Sequence, residues 1–335
     1  MSRGKVIVTG ASGFTGLHAC AHLAGIGYEV TAVLRKRGAT ASIAAEASAS
    51  GSGMIRERVV DLTDQAAVLK LLEQERPGRL LHLAGRNDVG GSWQQPLTYV
   101  QLNMMSTLYL LDGLRLLGLT DCRALIVGSM LGCRLRDDET PCPPHPYSLS
   151  KTLQTLTSSA WGALFGLPVC IAQPSNLIGP GASSGLCGLI GAHVAEWERA
   201  GKSNPFRLSS LEEARDFVDV RDAVRAYGLI LEHGVPGCSY PVGSGRLRTL
   251  GDIASQFERV AKAQVSWRIG FSAEAAEFPP VRLTEAGRGD EEGDIRPSAV
   301  DVRPMRALGW EPAIALEQSV ADIMTYHRHR TGRNP

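Results

Sequence analysis

Tyr147 and Lys151 stand four residues apart in Tyr147-Ser148-Leu149-Ser150-Lys151. On a helix that spacing puts a phenol and an ammonium on one face. A neighbouring cation stabilises phenolate and lowers the tyrosine pKa, so Tyr147 can exchange a proton with a carbonyl or alcohol oxygen. Lys151 can also hydrogen-bond ribose hydroxyls. Ser129, just past the apolar run Ala124-Leu125-Ile126-Val127, offers a second hydroxyl to the same substrate oxygen. A Tyr-x-x-x-Lys pair alone recurs by chance, so its weight depends on what else the fold brings to the same place.

Thr9-Gly10-Ala11-Ser12-Gly13-Phe14-Thr15-Gly16 has the next recognisable chemistry. Gly10 permits a tight turn, Gly13 lets the backbone amides of the loop approach a pyrophosphate, and Gly16 allows close packing of the following helix. The helix start adds the positive end of its dipole. A glycine-rich turn that binds nothing has the same spacing; the strand before it and the helix after it favour a dinucleotide. The second strand ends in Arg35-Lys36-Arg37, where NAD sites usually carry a carboxylate for the ribose 2′-hydroxyl. A carboxylate would repel a 2′-phosphate, whereas a guanidinium grips it. NADP(H) is therefore favoured over NAD(H), the alternative being a solvated basic turn. Asp61, after the third strand, is placed either to meet the adenine edge or to cap the next helix.

The elements that must position these groups alternate. Strands are expected at 5–9, 29–34, 58–60, 80–83, 124–127 and 168–172, with helices to Gly25 and over 64–75, 96–117 and 147–165. In the third helix Met104, Leu108 and Leu111 share a face. Residues 38–53, rich in Ala, Ser and Gly, read as an exposed connection. Strand–helix alternation of this length predicts right-handed βαβ units and an α/β, Rossmann-like, doubly wound parallel sheet. Ligands of such sheets bind at the carboxyl ends of the strands, where Ser129, Tyr147 and Lys151 would converge. Past Pro174 the alternation breaks. Gly and Pro cluster at 179–188, 234–245 and 279–297, which predicts a smaller, irregular C-terminal substrate lobe. The expected division is 1–174 for the dinucleotide domain, with a return segment near 216–232. The lobe takes 175–215 and 233–330, and 331–335 form a tail. Leu316, Val320, Ile323 and Met324 form a helical stripe before a frayed basic end, Arg328-His329-Arg330.

From Lys5 to His327 the chain resembles the extended short-chain dehydrogenase/reductase family of NDP-sugar epimerases, dehydratases and reductases. The matching segments are the glycine loop, Asp61-Leu62, His82-Leu83-Ala84, Asn103, Ser129, Tyr147 with Lys151, and Leu308-Gly309-Trp310-Glu311-Pro312. Within the family it is most similar to the GDP-mannose 4,6-dehydratase and GDP-4-keto-6-deoxy-D-mannose reductase branch. Val89-Gly90-Gly91-Ser92-Trp93, Asn176-Leu177-Ile178-Gly179-Pro180-Gly181 and Arg215-Asp216-Phe217-Val218-Asp219-Val220-Arg221-Asp222 support that placement. The resemblance implies catalysis by Ser129, Tyr147 and Lys151. It implies cofactor contacts from Gly10, Ser12, Gly13, Phe14, Thr15, Gly16, Arg35, Lys36, Asp61, Leu62, Leu83, Ala84 and Gly85, and from Tyr147 and Lys151 themselves. Substrate contacts fall to Val89 and Ser129, with Asn176 and Arg215 on the sugar-nucleotide diphosphate. Asn176 reads equally as a turn residue and Arg215 as a surface ion pair. A homodimer through helices 96–117 and 147–165 is a family expectation, though such apolar stripes more often face a core.

Departures from the family pattern narrow the activity. Its dehydratases carry an acid just after the catalytic Ser or Thr, where this chain has Met130-Leu131-Gly132-Cys133. Eliminating water needs a general acid and a base beyond the tyrosine, so dehydration is disfavoured. Gln173, Ser175 and Pro241 replace the usual arginine, aromatic and asparagine, which leaves base and sugar undefined. The expected activity is NADPH-dependent reduction at C4 of an NDP-4-keto-6-deoxyhexose, with an NDP-sugar 4-epimerase as the alternative. A dinucleotide-sensing protein without catalysis would have no use for Ser129, Tyr147 and Lys151 together.

The whole-chain quantities fit a globular enzyme. The 335 residues point to one large or two unequal domains. Hydrophobic residues at 44% and charged residues at 21% exclude wholesale disorder. Lys and Arg number 35 against 34 Asp and Glu, a net charge of +1 that gives no reason to expect nucleic acid or an anionic membrane as partner. There is no apolar run of about 20 residues and no signal-peptide core near Met1. Seven scattered cysteines without a Cys-x-x-Cys pair read as free thiols with no metal site. The expected location is the cytoplasm.

Overall fold

Val6, Ile7 and Val8 are at most 1% exposed, the burial expected of a strand covered on both faces. They belong to β1 (Lys5–Thr9), an interior strand of a seven-stranded sheet in the computed structural model, which describes residues 3–38, 40, 53–133, 141–201, 204–270 and 298–331. The expected connection at 41–52, the Gly/Pro cluster at 279–297 and the tail at 332–335 lie outside the described residues.

The chain divides into two compact units, Met1–Pro174 with Ala223–Val242 and Arg303–Trp310, and Ser175–Asp222 with Gly243–Val302 and Glu311–Pro335. In the first, β1 is followed by α1 (Phe14–Gly25), β2 (Glu29–Leu34), β3 (Met54–Val59), α2 (Gln65–Glu75) and β4 (Arg79–His82). Next come the short helices α3 (Val89–Gln94) and α4 (Pro96–Tyr99), a π-helical segment (Val100–Met105) and α5 (Ser106–Leu116). Then follow β5 (Arg123–Val127), α6 (Pro146–Phe165) and β6 (Val169–Pro174). The second unit has β7 (Asn176–Ile178), α7 (Leu186–Ala200), β8 (Phe206–Leu208) and β9 (Ala214–Asp219). Helix α8 (Val220–His233) leads back to the first unit, where β10 (Ser239–Val242) is the last strand. The remaining elements are β11 (Leu247–Thr249), α9 (Leu250–Val260), β12 (Trp267–Ile269), α10 (Arg303–Ala307) and α11 (Leu316–Thr331).

The large sheet has the order β10-β6-β5-β4-β1-β2-β3, and every neighbouring pair is parallel. This is the doubly wound sheet the alternation predicts. Its order reverses between β1 and β4, the switch point at which such sheets take ligands. A core of Ile7, Val33, Val68, Leu72, Leu80, Leu110, Leu111, Leu114 and Ile126 packs one face. Leu110, Leu111 and Leu114 are the fully buried leucines of α5, so the stripe through Met104 and Leu108, both half-buried, is displaced from the expected one.

Other expectations are corrected. The return to the first unit runs over Ala223–Val242 rather than 216–232, because β10 pairs with β6. The helix over 96–117 is interrupted by the π-helical segment. The basic end is not frayed: α11 continues through Arg328-His329-Arg330, and Arg328 donates to Glu198 at 2.7 and 2.8 Å and to the Val260 carbonyl at 2.7 Å.

The second unit has a three-stranded sheet, β11-β9-β7, and a two-stranded one, β12-β8. Its own core gathers Ile190, Val194, Leu208, Phe217, Ile253, Phe257, Val320 and Ile323.

Candidate active site

Gly10 adopts φ +67°, and a Cβ there would lie 2.8 Å from the Ala84 backbone nitrogen. A Cβ on Gly16 would lie 2.1 Å from the Gly10 carbonyl oxygen. Both glycines are thus required by close approach, Gly10 to the residues after β4 and Gly16 to the turn itself. The turn closes through a Gly13 N to Gly10 O bond of 2.9 Å and an Ala11 N to Val33 O bond of 3.2 Å. Helix α1 has Gly13 as its N-cap residue, with no side-chain cap and no acid in its first turn. Its first N–H groups lack intrahelical partners, and Ser12 and Gly13 are exposed while Phe14 and Thr15 are half-buried. An uncapped helix start behind a turn with no room for side chains fits a pyrophosphate.

Arg35, Lys36 and Arg37 are all exposed at the end of β2. Two carboxylates stand near them. The Asp61 carboxyl is held low by the Thr63 N–H and hydroxyl, with a further contribution from Arg35. Glu57 is held low by the amides of Gly38 and Thr40 and by the Thr40 hydroxyl, with a smaller contribution from Arg37. The possible capping role of Asp61 is overturned: Asp64 caps α2, accepting from Ala66 N and Ala67 N. Leu62, Leu83 and Ala84 are half-buried, and Gly85 is exposed. The amides of Leu83 and Ala84 both donate to Thr9 Oγ1 at 3.2 Å. Val89 is half-buried at the first position of α3, which Asp88 caps.

Ser129 and Tyr147 come together. Burial pushes the Tyr147 pKa up; a hydrogen bond with Ser129 opposes this, and nearby Tyr99 adds to the rise. Ser129 Oγ also accepts from Leu131 N at 3.1 Å. The Tyr147 ring stacks on His145 (centroids 5.8 Å apart, 20° between planes) and meets Tyr99 edge-on at 6.5 Å. His145 Nδ1 accepts from Ser148 N at 2.9 Å and so caps α6, leaving its neutral form as the capping one. This aromatic support escaped sequence analysis; a His two residues before the Tyr, at the mouth of a helix, was the available signal.

Lys151 lies one turn along α6 from Tyr147. Its Nζ turns inward, donating to the Val127 carbonyl at 2.8 Å and to Gln154 Oε1 at 2.7 Å. Burial lowers its pKa to about 7. Two neutral acceptors hold its ammonium in place. Asn103, in the π-helical segment, receives Arg86 N on Oδ1 at 2.8 Å and donates to Ser150 Oγ at 2.9 Å. Ser150 Oγ in turn donates to the Tyr147 carbonyl at 2.8 Å. Sequence analysis missed Thr9, Thr107 and Gln154 in this polar layer, since no spacing rule marks them.

The two remaining candidates lie in the second unit. Asn176 is in β7 rather than a turn, and its Nδ2 donates to the Asp216 carbonyl at 2.9 Å. Arg215 Nε donates to Glu213 Oε1 at 2.8 Å, the ion-pair arrangement. The Asp216 carboxylate accepts from Ser175 Oγ and from the amides of Ser244, Gly245 and Arg246. Among the described residues no group of three or more His, Cys, Asp or Glu side chains could hold a metal ion, and no helix is long and apolar enough to cross a membrane.

A doubly wound parallel sheet, a glycine turn at its switch point and a Ser–Tyr–Lys set beyond β5 define an NAD(P)-dependent enzyme of the extended short-chain dehydrogenase/reductase class, nucleotide-sugar branch. The chain belongs to the GDP-mannose 4,6 dehydratase family, whose model matches residues 7–323. A GDP-6-deoxy-D-mannose reductase from Pseudomonas aeruginosa is 27% identical over 259 residues, 75% of this chain and 80% of the relative. A UDP-glucose 4-epimerase from Mycolicibacterium smegmatis is 24% identical over 335 residues, 98% of this chain and 99% of the relative. The solved NADPH complex of RMD from Pseudomonas aeruginosa shares the fold with a TM-score of 0.76 at 24% identity, over 98% of this chain and 99% of that one. The UDP-glucose complex of UDP-glucose 4-epimerase from Thermotoga maritima does so at 0.75 and 21%, with the same coverage.

Proposed function

We propose that the protein is an NADPH-dependent reductase acting at C4 of an NDP-4-keto-6-deoxyhexose, with GDP-4-keto-6-deoxy-D-mannose the best-supported substrate. The observation that carries the reading is the hydrogen bond between the Ser129 and Tyr147 side chains, beside a stretch, Met130–Cys133, without an acid. A phenol is protonated at neutral pH and, hydrogen-bonded beside the substrate oxygen, can give it the proton that reduction of a ketone requires. Dehydration would ask for a further acid and base, and that stretch supplies neither. The 27% relative acting on a GDP-deoxysugar supports the same reading.

In this proposal the Gly10–Gly16 turn and the start of α1 take the pyrophosphate, and Arg35 and Lys36 take the 2′-phosphate. Asp61 and Leu62 border the adenine, and Leu83, Ala84 and Gly85 line the path to the nicotinamide half. Bound there, the cofactor supplies the hydride. Ser129 Oγ hydrogen-bonds the C4 oxygen and polarises it, Tyr147 gives that oxygen its proton, and Lys151 holds the ribose hydroxyls. Val89 borders the sugar. Asn176 and Arg215 are assigned to the diphosphate; Arg215 then exchanges Glu213 for a more highly charged partner.

An NDP-sugar 4-epimerase is the second reading, favoured by the epimerase relative that aligns along 98% of the chain. One assay separates them. With an NDP-4-keto-6-deoxyhexose, the reductase consumes NADPH in proportion to product. Interconversion of ordinary NDP-hexoses without net change in cofactor absorbance would instead establish the epimerase.

A further inference from the structure

Beneath Tyr147 and Lys151 the hydrogen bonds of a buried polar layer can be followed atom by atom. Gln154, fully buried, accepts from Lys151 Nζ at 2.7 Å and donates through Nε2 to Thr107 Oγ1 at 2.9 Å. The Thr107 hydroxyl donates its one proton to the Asn103 carbonyl at 2.6 Å. Its lone pairs then face Gln154 Nε2 and, at 2.8 Å, His82 Nε2. His82 must therefore carry its proton on Nε2, and its Nδ1 accepts from Thr9 Oγ1 at 2.7 Å. Thr9 Oγ1 in turn receives the amides of Leu83 and Ala84. Only one orientation of the Gln154 amide satisfies both its neighbours.

We propose that Gln154 is a positioning residue for Lys151: its side-chain amide fixes the ammonium at the end of β5 and ties it, through Thr107, His82 and Thr9, to the β1 and β4 ends that carry the glycine turn. The inference rests on the reading of Lys151 as a cofactor-binding and catalytic group. A neutral amide suits the task. It satisfies one ammonium N–H without adding a charge, and so leaves Lys151 titratable near neutrality, where a carboxylate at the same distance would lock it charged. The titratable groups that face Lys151 are His82 from β4, on which it acts electrostatically, and Tyr147 one turn back on α6. Burial is the cause of its own shift.

The test is a titration of the full-length protein labelled with 13Cε-lysine, with Lys151 assigned by its loss in Lys151→Met. Gln154→Glu should raise the Lys151 midpoint by at least one pH unit and carry the alkaline limb of kcat/KM with it. Gln154→Met keeps the volume, so it folds even where the glutamate does not. It should weaken NADPH, read by fluorescence titration, by about tenfold, the scale of one hydrogen bond to a charged group. An unmoved Lys151 midpoint in Gln154→Glu, or parental NADPH affinity in Gln154→Met, overturns the proposal. A parent that binds NADPH but turns over no 4-keto sugar nucleotide would refute the reductase reading alone, while the titration and the binding still decide Gln154.

Discussion

At the scale of single residues, Tyr147 is the group whose removal tests the chemistry most directly. Burial raises the Tyr147 pKa and the Ser129 hydrogen bond opposes that rise. Tyr147→Phe deletes the proton donor and little volume, so NADPH binding should survive while kcat falls by roughly two orders of magnitude or more. Turnover of a 4-keto sugar nucleotide near the parental rate would remove Tyr147 from the mechanism. Arg35 governs a separate choice. A charge-assisted hydrogen bond to a partly exposed 2′-phosphate is worth on the order of 1.5–3 kcal/mol, about ten- to a hundredfold in affinity. Arg35→Ala should therefore weaken NADPH far more than NADH. KM should move more than kcat, because the phosphate is remote from the reacting carbon. Equal losses with both cofactors would make the basic run a solvated turn, and a parent preferring NADH would settle the matter without a mutant.

At the scale of elements, the strand ends β1 and β4 are joined by a neutral histidine. His82 is fully buried, and burial, aided by Lys151, lowers its pKa to about 3. The unfolded chain binds a proton near pH 6.5 that the folded chain refuses. Between pH 6.5 and about 3 the unfolded state therefore holds more protons, and stability falls as pH falls, by up to about 1.4 kcal/mol per pH unit from this one group. His22, His145 and His327, also lowered, act in the same direction. Urea denaturation between pH 7 and 5 should show this loss, and His82→Gln should be less stable at pH 7 yet show a shallower slope. A slope unchanged by the substitution would mean that His82 charges in the folded state. Strands such as β1, β2 and β5 were legible in the sequence because a two-sided burial demands an unbroken apolar run. The glycine turn was legible because contacts at 2.1 and 2.8 Å admit no side chain. Thr107 and Gln154 were not, because a threonine or glutamine inside a helix carries no sign of whether it faces water or another polar group. The π-helical segment was equally hidden: it widens the helix at Asn103, whose partners Arg86 and Ser150 are 17 and 47 residues away in sequence. In the second unit the strands β7, β8, β11 and β12 have three residues each, too few to show a period.

At the scale of the whole molecule, α6 has two faces with different obligations. One carries Tyr147, Lys151, Gln154 and Ser158, all buried. The other presents Leu149, Leu156 and Leu164, which are 39%, 50% and 72% exposed, with Leu153 and Ala160 half-buried between them. The positions 149, 153, 156, 160 and 164 are separated by steps of four, three, four and four, which keep them on one helix face. On α5, Leu116 is exposed as well. A lone exposed leucine needs no explanation, but a five-position apolar seam on the helix that bears the catalytic residues does. We expect it to meet its own copy in a homodimer, since a two-fold contact uses one patch twice. Light scattering coupled to size exclusion should give twice the mass of one 35.8 kDa chain. Leu156→Glu places two like charges near that axis and should yield a monomer, at low cost to the fold because the side chain is already half exposed. If Leu156→Glu leaves a dimer intact, the contact lies on another surface. A parent that runs as a monomer at micromolar concentration would leave the α6 seam without this role. If the monomeric variant keeps its NADPH affinity, the cofactor site is complete within one chain. A loss of affinity together with the dimer would instead mean that the seam holds α6, and with it Lys151, in place.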